Sequence, residues 1–106
     1  MPAADALAAA VRERRVLALW YDRDPPERPR IVHPQVLFRT PGSELHLEAV
    51  QVDGPSSSPL PGWRTFELVR IRRIVTRPGR ARRDPRLNLA DPRYVEILAT
   101  CPDPRS

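Results

Sequence analysis

Two cations and a run of apolar residues share the stretch Trp63-Arg64-Thr65-Phe66-Glu67-Leu68-Val69-Arg70-Ile71-Arg72-Arg73-Ile74-Val75, and their spacing sets the first expectation. Arg64, Phe66 and Leu68 fall on one side of an extended segment, with Trp63, Thr65 and Glu67 on the other, which is the period of two of a half-buried strand. The alternation breaks at Val69-Arg70-Ile71 and resumes through Arg73 and Val75, so the stretch reads as a strand, one tight turn and a second strand. Arg64 and Arg70 then sit close to the apolar face. A cation beside a core needs a partner, and the planar fork of guanidinium donors suits a phosphate or carboxylate. The competing reading is that their stems cover apolar surface while their heads reach water.

Other residue types that could carry chemistry do not assemble. Two histidines, His33 and His46, and one cysteine, Cys101, have no zinc-ligand spacing. Ser56, Ser57 and Ser58 lie in a Pro/Gly-rich loop and read as linker rather than nucleophile. Only four glycines are present, none in a phosphate-binding loop. The expectation is a binding protein without enzymatic activity, metal or cofactor. A single cysteine cannot form an internal disulfide, which fits a reducing interior, and the longest apolar runs, Ala6 to Val11 and Val16 to Tyr21, fall far short of a membrane span. A cytoplasmic location is expected.

The formal charge of +5 is uneven: residues 1–62 carry seven arginines against eight acids, residues 63–106 eleven against five. A basic half-chain is the electrostatic footprint of a protein that meets phosphate. All 18 basic residues are arginine, and alanine and proline are also abundant, a pattern that GC-rich coding produces whatever the function.

With 106 residues the chain has room for one modest core. Pro2 to Arg15 reads as a helix with an apolar stripe of Ala4, Leu7, Ala8 and Val11. Val16 to Tyr21 is apolar on both faces and reads as a strand covered on both sides. Arg30 to Thr40 is a strand bent at Pro34, and Pro41-Gly42-Ser43 turns it into a hairpin with Glu44 to Val52, where Leu45, Leu47 and Ala49 oppose Glu44, His46, Glu48 and Val50. Asp53 to Gly62 is a surface loop. Arg77 to Arg86, with five arginines and two prolines, reads as an extended connector, and Asp91-Pro92 as the cap and first turn of a short helix through Thr100. The sum is a mostly β fold with α elements: a five-stranded bent β-barrel over residues 1–77 with the N-terminal helix on it, then an arginine-rich connector and short C-terminal helix over 78–106.

These residues resemble the WYL domain, an Sm-like small barrel found in many bacterial transcriptional regulators. The likeness runs through Arg12 to Asp24, with Tyr21 closing the first strand, then Val32-His33-Pro34 and Leu37-Phe38-Arg39. The naming tripeptide Trp-Tyr-Leu falls on Leu45-His46-Leu47, followed by the family's alanine at Ala49. The closing signature falls on Arg64, Phe66, Leu68, Arg70 and Ile71, with Val69 in place of the family's aspartate. The resemblance covers about residues 6 to 77 and implies a stand-alone, divergent module without a winged helix ahead of it.

It also implies a regulatory module that senses an anionic, nucleotide- or nucleic-acid-derived ligand. Carried over, the binding positions are Arg39, His46, Arg64 and Arg70, with Trp63, Trp20 or Tyr21 for stacking. Each has a plainer alternative: Tyr21 in the core, Trp63 in packing, His46 inert on the solvent side of its strand. Arg77, Arg80, Arg82 and Arg83 are secondary basic contacts. Two other classes stay open: direct binding of single-stranded nucleic acid along the Arg77 to Arg86 run, and a protein-interaction or oligomerisation module without a small ligand, paired with a regulatory protein or forming a homodimer through exposed strand edges.

Overall fold

The computed structural model describes residues 2–103. Its elements are α1 (Ala4–Arg12), β1 (Arg15–Tyr21), β2 (Arg30–Arg39), β3 (Leu45–Asp53), β4 (Gly62–Glu67), a 3-10 turn over Leu68–Arg70, β5 (Ile71–Arg80) and β6 (Glu96–Thr100). Among the described residues no helix is long and apolar enough to cross a membrane.

Alanines give α1 its propensity, Asp5 in the first turn and Arg12 in the last suit its dipole, and Leu7, Ala8, Ala10 and Val11 face inward. The helix stops at Glu13, and Arg14 takes a left-handed conformation (φ 56°) that swings the chain into β1. Leu17 and Leu19 of β1, Leu37, Leu47, Ala49, Phe66, Leu68 and Ile71 join Leu7 and Val11 in the main core.

The strands are antiparallel in the order β4-β3-β2-β1-β5. The five-stranded bent barrel expected from sequence does not close: among the described residues the sheet has six strands, and no pairing joins β4 to β5. One edge of β2 is shared between two partners. Its first residues, Arg30 to Val32, pair with β1, and beyond a bulge at Pro34 to Val36 its last residues pair with β6.

β6 replaces the expected C-terminal helix. Leu37 opposes Ala99 and Arg39 opposes Glu96, so residues 96–100 satisfy backbone groups that β1 leaves open, a stronger demand than the weak capping signal at Asp91-Pro92. The expected connector is likewise strand in its first part, since β5 runs on to Arg80 opposite Arg15.

A second, smaller core lies on the other face of the sheet, where residues 82–95 cross as a strap. Val36, Phe38, Leu87 and Tyr94 pack there with Trp63. Beneath the strap Glu48 is fully buried. Its carboxylate accepts the Tyr94 hydroxyl, the Thr65 hydroxyl (2.8 Å) and two Arg93 nitrogens (3.1 and 3.4 Å). Burial first, then this bond to Glu48, raises the Tyr94 pKa well above that of an ordinary phenol. Fully buried Gln35 ties the strap's start: its Nε2 donates to the Arg82 carbonyl (2.8 Å) and its Oε1 accepts from Asp84 N–H (2.8 Å), while its backbone carbonyl accepts from Cys101 N–H (2.7 Å).

Candidate functional site

The β2–β3 hairpin, the end of β4 and the 3-10 turn meet at one end of the sheet. The hairpin loop is set by Ser43 N–H donating to the Thr40 carbonyl (2.9 Å), with Ser43 itself left-handed (φ 64°). Arg39, the last residue of β2, reaches back over it: Nη1 donates to the Ser43 carbonyl (3.1 Å) and Nε to Glu96 (3.2 Å). Opposite, His46 and Glu67 are direct cross-strand partners. His46 Nε2 lies 3.3 Å from Glu44 Oε2, and its ring stands edge-on to Phe38.

Glu67 in turn accepts Arg70 Nη1 (3.2 Å), and the Arg70 guanidinium lies 5.0 Å above the Tyr21 ring. The hydrogen bond to Glu67 is the main reason the Arg70 pKa is raised further. Tyr21 is locked by accepting Glu67 N–H at its hydroxyl (3.0 Å) and by edge-on packing against Phe66, so it serves the core as well as the cation. Between these groups opens a cavity of about 310 Å³, walled by Arg39, Ser43, Glu44, Leu45, Glu67 and Leu68.

Ligand atoms of Glu44, His46 and Glu67 all lie within 4.8 Å of one another. Two carboxylates and an imidazole are donors a zinc-class ion accepts, although Arg70 already occupies part of the Glu67 charge. Spacing along the chain gave no sign of this set, because it forms across two strands.

Of the four binding positions carried over from the family, Arg39 is among the residues that line this cavity; Arg70 reaches it only through its ion pair to the lining residue Glu67, His46 only through its neighbours Glu44 and Glu67, and Arg64 does not line it. Arg64 sits opposite Ala49, and its guanidinium folds back to the Trp63 carbonyl (2.9 Å) and to Ser56 Oγ of the preceding loop (2.8 Å). It lies directly over Gly62, where an added Cβ would come within 2.5 Å of Arg64 Nη1. Among the described residues Arg64 and Arg70 share no partner. Trp63 belongs to the smaller core, and the Arg86 guanidinium lies 5.7 Å from its ring.

The secondary arginines divide between two places. Arg77 and Arg80 are exposed on β5, an edge strand, together with Arg72 and Arg73; Pro78, which has no N–H to pair, fits an edge. Arg73 stacks 4.8 Å over Trp20, whose Nε1 donates to the Pro26 carbonyl (2.8 Å). Arg82 and Arg83 instead belong to the start of the strap, where Arg82 N–H donates to His33 Nδ1 (2.9 Å) and Arg83 Nη1 donates to the Cys101 carbonyl (3.3 Å). Cys101 is buried, and that burial pushes its thiol pKa up, away from thiolate chemistry.

The sequence reading missed Glu48 and Gln35, the two buried polar residues that hold the strap. Glu48 falls on the polar register of β3, and only Leu87 and Tyr94, apolar residues in a polar tail, hint that something covers that face.

The protein-family model described as WYL domain matches residues 2–76, from α1 into β5, and leaves the strap and β6 outside. No curated protein and no solved structure matches the chain.

Proposed function

We propose, from the premise that this chain belongs to the WYL domain family of regulatory, ligand-sensing modules, that it senses an anionic, nucleotide- or nucleic-acid-derived effector in the cavity beside Arg39 and Arg70. The observation that carries this reading is a cavity of about 310 Å³ lined by Arg39 and by Glu67, the carboxylate that Arg70 pairs with.

Both arginines are engaged with carboxylates, Arg39 with Glu96 and Arg70 with Glu67, yet each side chain is 39% exposed. Ion pairs this exposed are screened by water and hold their partners weakly. An effector phosphate making a bidentate, partly desolvated contact with a guanidinium binds more strongly, so it displaces the carboxylates. Released Glu67 and Glu96 are then free to reposition the 3-10 turn and the end of β6, which gives a binding event a structural consequence. His46, held against Phe38, supplies a further polar contact at the rim. The reading involves no chemical step.

Intrinsic fluorescence of Trp20 and Trp63 in a titration with short single-stranded DNA, RNA and cyclic oligonucleotides at two salt concentrations tests this. A shallow salt dependence is expected, with affinity reduced about tenfold or more in Arg39→Ala and Arg70→Ala. Unchanged affinity in both variants would sink the assignment.

A second reading has its own support, the exposed arginines of edge strand β5 with Trp20 beside them. Single-stranded nucleic acid laid along Arg72, Arg73, Arg77 and Arg80 would lose affinity steeply with salt, by a slope of about 0.7 per phosphate contact on a log–log plot. Arg77→Ala and Arg80→Ala would flatten that slope while leaving the cavity variants without effect. Binding of a protein partner that survives all four substitutions would point instead to an interaction module.

A further inference from the structure

A second cavity, of about 460 Å³, lies at Val50 and Val52, towards the other end of β3 from the effector cavity. Its floor is apolar: Val50 and Val52 of β3 with Pro61 and Pro85. Val52, next to the end of β3, is 40% exposed, a large apolar side chain left open to water. Its upper wall is made by the first residues of the strap, which Gln35 fixes in place. Those residues lie beyond the family match, so this hollow exists only because the chain's own C-terminal segment docks on the sheet.

Its polar lining, apart from one carboxylate that is already paired, favours an anion. His33 accepts Arg82 N–H at Nδ1, so the neutral ring carries its proton on Nε2. Partial burial, then the nearby Arg82 charge, holds the His33 pKa below its ordinary value, which keeps that tautomer at neutral pH. Nε2–H and the Arg82 guanidinium have no hydrogen-bond or ion-pair partner among the described residues. The one acid in the wall, Asp84, is held by Arg86 through two side-chain bonds of 2.9 Å, and that pairing keeps its pKa low. A neutral donor, a free guanidinium and a neutralised carboxylate surround an apolar floor, at a volume within the range of small-molecule pockets.

We infer that this hollow is a binding site for a small amphipathic anion: a flat apolar ring system lying on Val50, Val52 and the two prolines, with one carboxylate, sulfonate or phosphate reaching Arg82 and His33 Nε2–H. The site is independent of the effector cavity, sharing none of its lining residues.

The probe is 1-anilinonaphthalene-8-sulfonate, an aromatic ring system with one anionic group, titrated into the full chain and followed by its fluorescence. One saturable site per chain is expected. Arg82→Ala should weaken it about tenfold, Val52→Asp should abolish it, and Arg39→Ala should leave it unchanged. Inorganic phosphate at equal concentration should fail to displace the probe, because it lacks the apolar body. The dye also lights up on loosely folded chains, so each variant is first shown to melt cooperatively; Arg82 and Val52 are exposed, and their replacement leaves both cores intact. Equal binding to Val52→Asp and the parent, full displacement by phosphate alone, or loss in Arg39→Ala would each overturn the assignment.

Discussion

On its inner face the sheet shares one core with Leu7 and Val11 of α1, built from Leu17, Leu37, Leu47 and Phe66, all fully or almost fully buried and all apolar. On its outer face it meets the strap through Phe38 and Tyr94, whose rings lie 4.5 Å apart, and through the buried carboxylate of Glu48. Apolar burial is non-directional and roughly additive in area, so the inner face holds however the helix is dialled. The outer face depends on hydrogen bonds whose donors and acceptors must coincide, because a buried polar group left unpaired costs about 1–3 kcal/mol. One face therefore gives the molecule its stability, and the other decides where the C-terminal segment lies and what hollows it creates.

The comparison can be broken at its strong end first. Phe66→Ala empties the space beside Tyr21 in the main core and is expected to cost about 3–5 kcal/mol, read as a shift of the whole urea transition with no separate phase. Gln35→Leu comes next, at about 2–3 kcal/mol, because Asp84 N–H and the Arg82 carbonyl lose their partner inside the fold. Hydrogen exchange should then rise at residues 81–87 before the sheet opens. If those amides exchange only with global unfolding, strap and sheet are one cooperative unit and the distinction between the faces fails.

Glu48→Leu is expected to cost less, about 1–2 kcal/mol, since Arg93 is 56% exposed and recovers water. The Tyr94 hydroxyl is the group left stranded, and the near-ultraviolet circular dichroism of that ring should weaken while inner-face signals persist. The smallest effect is on pH. His33 binds a proton less readily folded than unfolded, so below about 6.5 the unfolded chain takes up more protons. Stability is thus full above that pH and declines as pH falls towards the lowered folded value. A urea midpoint that drops between pH 7.5 and 5.5 in the parent, and drops less in His33→Asn, would locate the effect at the strap's first contact.

The closing signature shows how far local pattern reaches. The alternation of Arg64, Phe66 and Leu68 and the break at Val69-Arg70-Ile71 correctly read as strand, turn and strand, because the side a residue takes in a strand depends only on its neighbours in the chain. Arg64 and Arg70, six positions apart, looked equivalent in that pattern and are not. Gly62 lets Arg64 fold back onto its own loop, while the 3-10 turn delivers Arg70 to Glu67 and Tyr21. His46 and Glu48 show the same limit: both fall on the polar register of β3, yet one stands beside Glu44 and Glu67 and the other is sealed from water.

By itself the sequence determined the helix, the five strands from β1 to β5, the hairpin and the family, since each rests on periodicity, turn chemistry or motif within a short span. Only the tertiary structure decided that residues 96–100 become a sixth strand, that the sheet stays open and that its second face is covered. The reason is physical: the unpaired edge of β2 beyond Pro34 and the polar anchors Gln35 and Glu48 lie tens of residues from the segment they capture, and no local pattern records a partner that distant.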